Sequence, residues 1–171
     1  MKISKKRLFT TMIVILLILS PFALLLNPVL KKFQERNNKY HQKLVEQQEN
    51  DKDVSEQWDN LKFRQKLIGD IYRYTFRERS AVNAYETYLD WFRNSWKTKD
   101  YVQLKRDTAS LCRKLYSENP RLREYRVKAA CHFQEIIDWY EGEGDAFRKF
   151  VRESTRAIST FDLRRFTDRC N

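Results

Sequence analysis

The hydrophobic pattern of this chain changes character once. From Leu8 to Leu30 no side chain is charged, a run of 23 residues. At ~1.5 Å per residue, a helix of that length spans the ~30 Å hydrocarbon core of a bilayer. Beyond Lys31 the apolar residues recur at steps of three, four and seven, the spacing of amphipathic helices. "KKFQERNNKYHQKLVEQQE" (Lys31 to Glu49) is polar, with Phe33, Tyr40 and Leu44 at helical steps, and reads as a stalk. "NDKDVS" (Asn50 to Ser55) interrupts the pattern as a linker, with Ser55 as helix cap. The organisation predicted is a basic flank and transmembrane signal anchor over 1–30, a helical stalk and linker over 31–55, and an all-helical domain over 56–171.

Within that domain five amphipathic helices are expected. The first carries Trp58, Leu61, Leu67, Ile68, Ile71 and Tyr72 as one stripe, and the second, "SAVNAYETYLDWFRNSWKT", carries Tyr85, Tyr88, Leu89, Phe92 and Trp96. A third holds Leu104, Leu111, Cys112 and Leu115 and ends at Asn119, with Pro120 opening the first turn of the fourth. The fourth places Leu122, Tyr125, Ala129, Phe133, Ile136, Ile137 and Tyr140 inward, and "EGEGD" closes it with glycines able to take positive φ. The fifth uses Phe147, Phe150, Val151 and Ile158, and "TFDLRRFTDRCN" adds a last turn or short cap. Three Gly and three Pro in 171 residues are too few for the turns of a sandwich or barrel, so the fold class is all-α, built from antiparallel hairpins.

The apolar run is longer than the h-region of a cleaved signal and meets Lys31 and Lys32 without an Ala-x-Ala site. It therefore reads as a retained anchor, with a kink expected at Pro21; a cut after "PFA" is the alternative. Lys2, Lys5, Lys6 and Arg7 precede the span, and Lys31, Lys32 and Arg36 follow it. The slight excess before it puts the amino terminus inside and the domain outside, in the periplasm of a bacterial inner membrane, with Lys31 and Lys32 at the outer head groups.

At "KDY" after one helix, and at "EGEGDAF" after "CHFQEIIDWY", the layout resembles the tetratricopeptide-repeat family over residues 85–158. Phe133 and Tyr140 match its inner-helix aromatics in kind, and Pro120 falls where a repeat-ending proline stands. Leu104 and Lys149 occupy positions where that family carries a small Ala, and the segment from Asp100 to Pro120 exceeds the repeat's period. The resemblance implies helical hairpins with a concave face for a peptide or a partner subunit, and no catalytic site.

Candidate chemistry is sparse. His41 and His132 have no partner at metal-ligand spacing, and no Gly-rich loop opens a helix after a strand, so no metal, cofactor or catalytic residue is expected. Acidic residues near Asp138 and Glu141 keep open a small membrane-attached envelope hydrolase. In an oxidising compartment the preferred disulfide is Cys131 with Cys170, stapling the tail; the alternative is three reduced thiols.

The chain carries 34 Lys and Arg against 23 Asp and Glu, a net charge of +11, of which the first fifty residues supply +6. In the domain, "RYTFRER", "RLREYR", "RKFVRE" and "LRRF" set arginines between apolar residues. That is first a solvated helix face, and second a basic surface for anionic phospholipid or an acidic protein patch. Nucleic acid is not an expected partner for an outward-facing domain. The function expected is a membrane-anchored accessory or scaffold subunit. It would meet lipid through its amino-terminal helix and other subunits through Trp91, Trp96, Arg123, Arg126 and Trp139. A cytosol-facing adaptor of reversed topology is the remaining alternative.

Overall fold

The structure, a computed structural model, describes residues 5–50 and 53–170, with side chains from residue 26 onward. Among the described residues it is all-α, with no strand. The helices are α1 (Lys5–Glu49), α2 (Ser55–Tyr74), α3 (Glu78–Trp91), α4 (Lys99–Glu118), α5 (Arg123–Tyr140), α6 (Asp145–Thr160) and the single turn α7 (Arg164–Thr167). The chain divides into two compact units, residues 1–61 and 62–171, and the division falls inside α2.

In the first unit the expected anchor and stalk form one helix, α1, which runs unbroken through Pro21 and Pro28. Most of the Leu8 to Leu30 run, with Lys5, Lys6 and Arg7, lies outside the described side chains; Lys31 and Lys32 are exposed. Among the described residues no helix is long and apolar enough to cross a membrane. The imidazole of His41 meets the Trp58 ring edge-on, 5.4 Å between centroids. Ser55 is the first residue of α2 and does not cap it: the Asp53 carboxylate accepts the Ser55 N–H at 3.1 Å. That bond holds the Asp53 carboxyl below its usual range.

In the second unit α5 is central, packing on α4, α6 and α7, while α4 also packs on α3. Its buried face, Tyr125, Ala129, Phe133, Ile136 and Tyr140, follows steps of three and four, with Ala129 and Ala130 letting neighbours approach. Each large side chain buried this way contributes about 1.5–3 kcal/mol. On α2 the buried stripe is Leu61, Gln65, Ile68 and Tyr72. Leu67, expected in it, points to solvent, and Gln65 takes an inward place because its side-chain amide donates to the Ala84 carbonyl at 3.0 Å. The second expected helix is shorter than its apolar pattern. It stops at Trp91, and a 3-10 turn covers Arg93–Ser95. The carbonyl of Trp96 is occupied by the Tyr140 hydroxyl, and Thr98 caps α4 by accepting the Tyr101 N–H at 3.3 Å. Both bonds favour a break.

Pro120 does not open α5; it lies in the turn, where the Asn119 side chain accepts the Arg121 N–H at 3.2 Å and α5 begins three residues later. Gly142 and Gly144 both take positive φ, +90° and +98°, in the turn before α6. Cys131 and Cys170 are joined in a disulfide with their Cα atoms 5.1 Å apart, tying the carboxyl end to α5. Cys112 is free and buried.

Candidate functional site

The 3-10 turn after α3 and the last turn of α5 converge on an open pocket of about 400 Å³ lined by Arg93, Trp96, Asp138 and Trp139. Ile136 and Tyr140, four residues apart, face a core cluster with Val102 and Phe147. Trp139 sits beside them at the pocket's edge. Two cations lie over its ring, the Lys105 ammonium 4.2 Å and the Arg93 guanidinium 5.8 Å from its centroid. The Trp96 ring meets Trp139 edge-on at 6.3 Å and Tyr140 at 5.7 Å, and Tyr140 stacks on Phe147 at 4.8 Å. Lys97 lies over the outer face of Trp96, 4.8 Å from its centroid, and pairs with Glu143 at 3.6 Å.

The two cations at Trp139 differ in kind. Lys105 is 3% exposed and ion-paired with Glu135. Burial pushes its pKa down, and Glu135 opposes that shift. Arg93 is exposed and offers its guanidinium to whatever enters. Ring walls beside an exposed guanidinium suit an apolar side chain next to an anionic group.

The residues expected to bind partners separate into two places. Trp96 and Trp139 share the pocket, whereas Trp91 is half-buried as the last residue of α3. Arg123 and Arg126 lie in the first turn of α5, about 20 Å along the helix from Trp139. Arg126 is committed internally. Its guanidinium sits over Tyr116 at 5.0 Å and Phe166 at 4.3 Å, and donates to the Tyr116 hydroxyl at 3.0 Å and the Asp162 carbonyl at 3.1 Å. It fastens the tail to α4 and α5. Arg123 is exposed on the rim of the same region.

The carboxylates considered for hydrolysis do not share a pocket. Asp138 accepts from Gln134 at 2.7 Å beside Trp139, while Glu141 lines a separate pocket of about 310 Å³ with Gly142, Gly144 and Arg148. His132 lies 3.5 Å from Glu86, which also accepts from Lys128 at 2.5 Å. Burial pushes the Glu86 carboxyl up, but the bonds from His132 and Lys128 outweigh it and hold the pKa low. Burial raises the Cys112 thiol to about 12, so it carries little thiolate. Among the described residues no group of three or more His, Cys, Asp or Glu could hold a metal ion.

Sequence periodicity missed Arg93 and Lys105. Tyr101, Lys105, Thr108 and Cys112 fall at helical steps on the buried face of α4, and a lysine inside such a stripe was the available signal. Comparison with protein-family models, curated proteins and solved structures finds no match.

Proposed function

We propose that this chain is a membrane-anchored accessory or scaffold subunit that holds another protein at its Trp96–Trp139 pocket. The observation that carries the reading is the pair of half-buried indoles that line one open pocket with the exposed Arg93. Such a pocket fits an apolar side chain followed by a carboxylate, an anchor of the kind that dominates protein interfaces. The successive hairpins from α3 to α6 support a repeat-like scaffold of the tetratricopeptide type as its frame. The uncharged run from Leu8 to Leu30, flanked by Lys5, Lys6 and Arg7 and by Lys31 and Lys32, supports the anchor. The Cys131–Cys170 disulfide favours an outward, oxidising compartment over a cytosol-facing adaptor. An anchor confines the pocket near its partner and raises the effective concentration.

The test is a mild-detergent pull-down of the tagged full-length chain from its native membrane, beside Arg93→Glu. Arg93 is exposed, so the variant keeps the fold. A partner recovered at fixed stoichiometry with the wild type and lost with the variant supports the reading. Recovery of the chain alone, or equal recovery with both, rejects it.

A further inference from the structure

The α2–α3 corner combines two features that a solvent-facing corner does not need. Phe63, Leu67 and Tyr74 lie within about 40° of one another on the helical wheel of α2. They are 67%, 43% and 81% exposed. Phe76, in the turn that follows, is 89% exposed. It also has a φ of +58°, a conformation that bulky side chains rarely adopt. The fold thus holds an aromatic side chain in water on strained backbone, where glycine would remove both penalties.

The charge surplus falls on the same segment. Residues 62–79 carry Lys62, Arg64, Lys66, Arg73, Arg77 and Arg79 against Asp70 and Glu78, a net +4, compared with +5 for the whole of residues 51–171. Lys66 pairs with Asp70 at 3.1 Å and Arg73 with Asp107 at 3.8 Å, each an exposed cation on a partly buried carboxylate, so an external anion can compete for the cation. A second copy of this chain is a poor occupant, since it would set +4 against +4.

We infer that the aromatic corner formed by Phe63, Leu67, Tyr74 and Phe76, with its basic flank, seats on an anionic phospholipid surface. The aromatic rings enter the interfacial layer, and the exposed Arg64, Lys66, Arg73 and Arg79 meet the head-group phosphates. Phe76 is the tip. None of Phe63, Leu67, Tyr74 and Phe76 lines the Trp96–Trp139 pocket, which stays available to a protein.

The experiment uses the full-length chain in nanodiscs of neutral phosphatidylcholine and in discs that also contain phosphatidylglycerol, with hydrogen exchange followed through residues 72–80. Exchange there slows about fivefold or more in the anionic discs, the factor that one basic side chain near an anionic leaflet is worth. Phe76→Gly, which suits the positive φ, loses that lipid-dependent difference while its thermal stability is kept or raised. Equal exchange in the two discs overturns the inference, as does slowing that survives Phe76→Gly. Exchange indifferent to lipid but slowed by an acidic amphipathic peptide overturns it too, and gives the corner to a protein. Failure of the chain to co-elute with neutral discs rejects the anchor alone, because binding to anionic discs through the corner is read separately.

Discussion

The ring of Tyr85 occupies the space that any side chain at position 69 would need, and α2 supplies Gly69 there. The ring is buried, and its hydroxyl donates to Asp70 at 2.6 Å, so it has no free direction in which to yield. Gly69→Ala gains up to ~1 kcal/mol of helix propensity. The overpacking costs about 1–3 kcal/mol, and the clash wins. Urea titration should show a net loss of stability; a gain would mean that Tyr85 swings aside.

Lys105 and Glu135 are unequal partners, because the lysine is buried and the carboxylate is partly exposed. Glu135→Gln strands the ammonium and should cost about 2 kcal/mol, more than Lys105→Met, which leaves a carboxylate that water can reach. The sign with pH follows from the lowered pKa of Lys105. Between its folded value and the ordinary 10.5, the unfolded chain binds more protons, so this contribution to stability rises with pH. In Glu135→Gln the folded pKa drops further and the rise starts at lower pH. Denaturation of variant and wild type across neutral to alkaline pH, taken as a difference, checks both points.

The buried hydroxyls work in the opposite direction. Burial, aided by Asp100 at Tyr88 and by Glu135 at Tyr101, pushes these two phenols to about 12, and Tyr85 and Tyr140 are raised as well. A raised folded pKa contributes stability that is complete below the ordinary value of 10.0 and lost as pH climbs through the folded value. The protein should therefore unfold cooperatively on the alkaline side, with these tyrosines ionising together with the loss of helix. Independent titration of all nine tyrosines near their ordinary value would contradict the packing.

The tail is held twice, by the disulfide and by Arg126. The Cys131–Cys170 bridge spans 39 residues, and closing a loop of that size constrains the unfolded chain by about 4 kcal/mol. Reduction should lower the denaturation midpoint accordingly. Adding Arg126→Leu to the reduced protein should then release residues 162–170 to fast hydrogen exchange, while Arg126→Leu alone leaves them protected. Release by the single variant would place the whole restraint on the cation stack.

Much of the helical layout was legible because apolar spacing is a local property: the inner face of α5 and the glycines before α6 follow directly from it. Where the reading slipped, helical register or a remote polar group decided. Leu67 lies about 120° around α2 from Leu61 and so off the buried stripe, while Gln65 falls on it and bonds to Ala84. The Tyr140 hydroxyl took the Trp96 carbonyl and favoured ending the second helix early. Both partners are remote in sequence, beyond the reach of periodicity. The pocket was half visible, since large indoles attract notice, but Arg93 joins Trp139 only across the fold. Arg126 looked like a free cation because nothing local reveals that Phe166 returns to cover it.

The exposed turn from Glu141 to Gly144 lies inside the ring that Cys131 and Cys170 close. A protease that severs this turn therefore produces no separable fragment: α6 stays covalently fastened to α5 through the far end of the chain. The nicked molecule would keep its mass, plus one water, without reductant and fall into two pieces with it. A cut at this exposed loop thus leaves the severed halves tethered and able to re-dock, since they never diffuse apart.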